Sequence, residues 1–150
     1  MKMLFCGALL FMMFTSCNIA DQQKEDPAAT TVVDMHRLPE LKTVDSIDIH
    51  FFPDIKDQKI YTRFGLNDTA SIHLFTLTEI NHPFVEQTNC TYDTKFFCFS
   101  KGQIVKTLYL ATAKDNCRFI AYIKSGGITV KAALSDTAIA MVQKWSVKSS

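Results

Sequence analysis

An excess of basic residues is missing from this chain. Its 16 Lys and Arg stand against 15 Asp and Glu, and no segment carries the basic stripe that nucleic-acid binders use against phosphate. Nucleic acid is therefore not an expected partner. Glycine (5) and proline (4) are too scarce for a collagen-like or low-complexity chain of 150 residues. A membrane-spanning run of roughly 20 apolar residues is also missing; the longest apolar stretch is Met3–Phe14. The chemistry-bearing motifs are absent too: no G-x-S-x-G elbow, no H-E-x-x-H, no P-loop and no G-x-G-x-x-G. No C-x-x-C pair occurs and no histidine stands beside a cysteine at ligand spacing, so neither a zinc site nor another cofactor is expected. The acids Asp54 and Asp57 alternate with Lys56 and Lys59, unlike a calcium loop.

What is present begins at the N-terminus. Lys2 supplies one positive charge, and the apolar stretch behind it has the length of the h-region of a secretory signal peptide. It stops at Phe14-Thr15-Ser16-Cys17, after which the chain turns polar. A large apolar residue, two small ones and a cysteine resemble the lipobox of bacterial lipoproteins. That resemblance implies cleavage after Ser16, acyl chains on Cys17, and stable membrane attachment, because two or more chains hold where one holds only marginally. Residue 18 is Asn and not the Asp that retains some lipoproteins in the inner membrane, so the resemblance points to the outer membrane of a Gram-negative envelope. Residues 1–16 are thus read as a cleaved signal peptide. Residues 17–34 are read as the lipidated cysteine and a flexible tether, whose small polar and charged residues around Pro27 bury too little to offset ordering. Residues 35–150 are read as one globular, sheet-rich domain.

That domain has mass for a core: 9 of the 12 phenylalanines follow Cys17. Of the 16 basic residues, loss of Lys2 leaves 15 against 15 acids. Cys90, Cys98 and Cys117 remain in the mature chain, and an exported domain permits a disulfide. Cys98 falls inside an apparent strand and reads as a small hydrophobe. Cys90 and Cys117 sit in loop-like stretches and are the expected pair if a bridge forms.

Alternation of apolar and polar residues predicts strands over 44–52 and 59–64, with Ile47, Ile49 and Phe51 facing in and Asp48 and His50 facing out. In the stretch 71–80 the Thr and Ile content favours a strand through about Thr78, although Asp68 would cap a helix with Ile72, Phe75 and Glu79 at helical spacing. Two hairpins are expected downstream, one turning at Gly102 and one at Ser125-Gly126-Gly127. Ser135 would cap a C-terminal helix, with Leu134 and Ile139 as a hydrophobic staple and Leu134, Ala138, Val142 and Trp145 on one face. The fold expected is α+β: an antiparallel, twisted sheet of about five to six strands with a short C-terminal helix. An all-β sandwich is the alternative. The aromatic residues Phe96, Phe97, Phe99, Tyr109, Phe119 and Tyr122 read as core rather than as a binding platform. If Phe97 and Phe99 face inward, Phe96 and Cys98 face outward.

Two functional readings follow. The first is a lipid-anchored, non-enzymatic envelope protein that binds a protein or another envelope component, in an accessory, inhibitor or immunity-type role. The second is a small periplasmic hydrolase or ligand-binding enzyme built on Asp48, His50 and His73, which requires those three side chains to converge within hydrogen-bond reach.

Overall fold

The computed structural model describes residues 38–83, 90–114, 116–124 and 126–149. The expected signal peptide, Ser16, Cys17 and the tether lie outside these residues. Six strands form one antiparallel sheet: β1 (Ser46–Phe51), β2 (Thr62–Leu66), β3 (Thr94–Ser100), β4 (Gln103–Lys114), β5 (Cys117–Ile123) and β6 (Thr129–Ala133), in the spatial order β2-β1-β3-β4-β5-β6. Helices α1 (Thr69–His73) and α2 (Asp136–Lys148) complete an α+β fold. One sheet with helices on it, and no second sheet among the described residues, replaces the sandwich alternative.

The hydrophobic period of two decides which face is covered. Ile47, Ile49 and Phe51 of β1 share a core with Phe96 and Cys98 of β3, Leu108 and Leu110 of β4, Ile120 and Tyr122 of β5, and Val130 and Ala132 of β6. The 3-10 turn Pro39–Thr43, α1 and α2 bring Leu41, Ile72, Ile139, Val142 and Trp145 down onto that face. Phe75 is completely buried and meets the rings of Phe96 (5.0 Å) and Trp145 (5.7 Å). Burial of such a ring contributes about 2–3 kcal/mol.

Three expectations are corrected. Residues 71–80 are not a strand: α1 runs into a π-helical stretch, Leu74–Thr78, and a 3-10 turn, Glu79–Asn81. The cap wins over propensity, since the Asp68 carboxylate accepts from the Ser71 amide and so starts the helix. Ile72, Phe75 and Glu79 then fall on one buried side. Second, β2 begins at Thr62, not at residue 59. The Asp57 carbonyl and carboxylate take the amides of Ile60 and Lys59, which holds those residues in a turn. The strand also runs further than residue 64, through Gly65, which pairs with Asp48, to Leu66. Third, Phe96 and Cys98 face the core, while Phe97 and Phe99 face out. Pairing decides this, because Phe96 stands opposite Ile49 and Cys98 opposite Ile47.

The β3–β4 turn places both Lys101 (φ 52°) and Gly102 (φ 78°) in the left-handed region, as two-residue hairpins require. Asp45 accepts the Lys101 amide at 2.7 Å, which holds a side-chain-bearing residue in that region. This hydrogen bond, and then one from the Ser46 hydroxyl, lower the Asp45 pKa. Helix α2 starts at Ser135, whose hydroxyl accepts from the Ala138 amide. Leu134 and Ile139 are both buried at the staple positions. A second capping element comes from far away in the chain. The Glu79 carboxylate, 1 % exposed, accepts from the Ser135 amide (2.7 Å) and the Ser135 hydroxyl (2.8 Å), with His82 Nδ1 at 3.6 Å.

Candidate functional site

The opposite face of the sheet carries no helix among the described residues. The loop 52–61 borders it at one end and Cys90–Tyr92 border it at another. The strand registers place one residue of each strand in a row across this outer face: Arg63, His50, Lys95, Tyr109, Ala121 and Lys131. The row brings together residues up to 81 positions apart by number (50 to 131), which is why sequence alternation alone does not reveal it.

At the β1–β2 side, Asp48 accepts from Arg63 Nε at 2.6 Å and lies 3.3 Å from His50 Nε2. The carboxylate raises the Arg63 pKa, first through that hydrogen bond and then through its charge. The His50 ring stacks on Tyr61 at 4.1 Å and takes Phe97 edge-on at 4.8 Å. Asp48 and His50 are therefore adjacent, as their spacing suggests. His73 is not with them. It is an exposed residue of α1, on the helical side of the sheet, where the neighbouring Ile72 packs into the core with Ile47 and Ile49. The three side chains required by the enzyme reading do not converge. Among the described residues no group of three His, Cys, Asp or Glu is placed to hold a metal ion.

In mid-sheet the Lys95 ammonium sits 5.3 Å from the ring centres of Phe52 and Tyr92 and 5.9 Å from that of Tyr109, and donates to Gln58 Oε1 at 2.9 Å. Gln58 Nε2 in turn donates to the Tyr92 hydroxyl. Each ring attracts the cation by about 0.5–2 kcal/mol, and together they tie the loop 52–61 to the strands. Toward β6, Lys131 lies over the Phe119 ring at 5.4 Å. A second, smaller apolar cluster of Ala111, Cys117, Phe119 and Ala121 forms here, with Cys90, Tyr92 and Tyr109 against it. Cys90 and Cys117 are joined as a disulfide, their Cα atoms 5.4 Å apart, while Cys98 remains a free buried thiol whose pKa burial pushes up to about 12.

Of the aromatic residues read as core, Phe96 and Tyr122 are in the main core. Phe97, Phe99 and Tyr109 are half-buried on the outer face, and Phe119 is buried there. Sequence reasoning missed Tyr61, Arg63, Gln58, Lys95 and Lys131 as members of one surface. Their only signal is a polar or aromatic residue at the out-facing phase of a strand or turn. Exposed Tyr61, Ile104 and Ile123 add apolar area to the molecule's surface. No helix among the described residues is long and apolar enough to cross a membrane. Comparison of the chain with protein-family models, with curated proteins and with solved structures finds no match.

Proposed function

We propose that this chain is a lipid-anchored protein of the cell envelope, held through Cys17, which acts by binding a protein or other envelope component and not by catalysis. Its outer sheet face is the binding face. The observation that carries this reading is the contrast between the two faces. One is sealed by helices; the other holds His50, Phe97, Tyr109 and two lysines without a helix among the described residues upon it. Contiguous apolar and aromatic surface of this kind marks interaction sites, and aromatic residues with fixed cations are typical anchors. The lipobox-type signal supports the location, with the outer membrane favoured by Asn18.

Two measurements test the two halves of the proposal. Labelled palmitate is expected to enter the full-length protein and not a Cys17→Ala variant in a Gram-negative host; label in neither removes the anchor. A photo-crosslinking phenylalanine analogue at Phe97 is expected to give a discrete adduct in the envelope, whereas the same analogue at Ala140, exposed on α2, gives none. Equal adducts from both sites, or none from Phe97, overturn the outer face as the binding face.

A further inference from the structure

The two ends of the sheet differ in how the chain meets them. Every strand pair is antiparallel, so β1 begins, β3 ends, β4 begins and β5 ends at one and the same end. That end carries the β3–β4 turn, with Lys101 and Gly102, and the β5–β6 turn, closed by the Lys124 amide donating to the Ile128 carbonyl. The described chain also enters here. Pro39–Thr43 leads into β1, Glu40 meets Lys106 of β4 at 3.2 Å, and the Asp45 amide donates to the Phe99 carbonyl near the end of β3. Residues 18–37, 20 in all, separate this entry from Cys17. A lipid on Cys17 therefore holds the domain by this end, on a leash that reaches about 70 Å at most.

Three large aliphatic side chains are exposed at the same end: Ile104 (55 %), Ile123 (46 %) and Ile128 (64 %). Ile104 and Ile123 belong to the outer face, cross-strand from Phe99 and Thr129, and Ile128 stands in the β5–β6 turn. Water offers such side chains nothing, whereas the headgroup boundary of a bilayer takes them up. The charges around them nearly cancel. Lys42, Lys101, Asp45 and Asp68 are exposed, Lys124 is half-buried, and Lys106 pairs with Glu40. This end thus offers an apolar contact flanked by lysines, whose stems lie along apolar surface while their heads reach outward. Exposure alone does not single it out, because Ile60, Tyr61 and Val147 are exposed at the opposite end. Ile60 and Tyr61 precede Thr62, which pairs with Phe51 where β1 finishes, and Val147 is two residues from Ser149, which bonds to Thr62. The entry of the chain makes the choice.

We propose that the end of the sheet bearing the β3–β4 and β5–β6 turns is a lipid-contact surface. Ile104, Ile123 and Ile128 seat in the headgroup boundary of the bilayer that holds the anchor, and the domain stands on its two turns. The loop 52–61 and the C-terminal end of α2 are then held away from the bilayer. The outer face stands upright beside it, open to a partner from the side. The inference rests on the reading of Cys17 as the lipid anchor and adds to it the orientation of the domain.

The test supplies the anchor chemically. The mature chain from Cys17 is coupled through that thiol to maleimide-bearing phosphatidylethanolamine in phosphatidylcholine vesicles, at low surface density. Cys98 is buried and Cys90 and Cys117 are bridged, so Cys17 is the thiol that reacts. A fluorescent amino acid is placed at Ile104, Ile128, Ile60 or Val147, and its quenching by phosphatidylcholine with a nitroxide near the headgroup is read. Quenching at Ile104 and Ile128 is expected to exceed that at Ile60 and Val147 by about threefold or more, and to survive high salt, since an apolar contact is not screened. With the probe at Ile123, the double substitution Ile104→Asp and Ile128→Asp is expected to bring quenching down to the Ile60 level. Near-UV circular dichroism checks that this variant keeps the parent fold. Equal quenching at the two ends, none at Ile104 and Ile128, or an Ile123 signal unmoved by the double substitution in folded protein overturns the proposal. The palmitate experiment separates the two ideas. Palmitate on Cys17 without quenching leaves the anchor standing and removes the lipid contact. Quenching at the turn end without palmitate leaves the lipid-contact surface and removes the anchor.

Discussion

Replacing Glu79 with glutamine tests the most unusual contact in the fold. The carboxylate is buried, yet it accepts two hydrogen bonds from Ser135 at the first turn of α2 and has His82 beside it. A hydrogen bond to a charged group contributes about 1.5–3 kcal/mol net, and a negative charge at a helix N-terminus adds roughly 0.3–2 kcal/mol. Against these stands the cost of desolvating the carboxylate, which for an amide is smaller. Glutamine can still accept one bond through its Oε1, but its amide group then faces the Ser135 donor. The balance is a loss of about 2 kcal/mol for Glu79→Gln and about 4 kcal/mol for Glu79→Ala, which leaves the Ser135 amide without an acceptor. Ser135→Ala alone removes the hydroxyl cap and costs about 1–2 kcal/mol. Because Glu79 and Ser135 touch, their double mutant is expected to recover about 1–2 kcal/mol of coupling. Urea unfolding of the lipid-free chain from Asn18 onward measures each value, with an unchanged m-value expected if the same surface is exposed. If Glu79→Gln changes stability by less than about 0.5 kcal/mol and the cycle shows no coupling, the idea that Glu79 fixes the start of α2 is wrong.

Four further outcomes are expected. Burial holds the Cys98 thiol pKa near 12 against an ordinary value of 9.0, so the native protein should resist a thiol reagent at pH 8 and react only in denaturant; rapid native labelling would contradict the packing. The same shift has a pH sign. The folded state keeps the proton more tightly, so stability is full below pH 9 and declines between about pH 9 and 12. Denaturation in that range should show a steeper loss for the parent than for Cys98→Ala, and parallel losses would refute the assignment. Cutting the Cys90–Cys117 link, which spans 27 residues, is expected to cost about 3–4 kcal/mol on the chain-entropy account, seen as a lower urea midpoint for the double alanine variant; an unchanged midpoint would count against it. Arg63 is 69 % exposed in its pair with Asp48, so Arg63→Ala should change stability by less than about 1 kcal/mol, and a loss above about 2 kcal/mol would show that the pair does more than decorate the surface.

The elements that local pattern controls were legible in the sequence. β1 alternates, both downstream hairpins carry their glycines, and Ser135 with its staple announces α2. The segment 71–80 was misread because its Thr and Ile content speaks for a strand, while its helical form is set by the Asp68 cap and by burial of Ile72, Phe75 and Glu79 under the sheet. β3 was ambiguous for a different reason. Phe96 and Phe97 offer rings in both phases of the alternation, and only pairing with Ile49 across the sheet selects Phe96 for the core. The candidate site is less legible still. Asp48 and His50 lie two apart and are found together, but Arg63, Lys95, Tyr109 and Lys131 join them only through five strand registers. The Glu79–Ser135 contact spans 56 residues and has no local signature at all.

The route by which the chain enters the sheet has a mechanical consequence. Leu38 and Leu41 are both buried, 4 % and 1 % exposed, immediately ahead of β1. β1 is an interior strand, hydrogen-bonded to β2 on one side and β3 on the other. A pull on the chain ahead of Leu38 therefore meets two leucines seated in the core, and behind them a strand that leaves only if two ladders part together. An edge strand would peel from one ladder alone. Traction applied from the N-terminal side is thus borne first by the middle of the sheet and not by an edge.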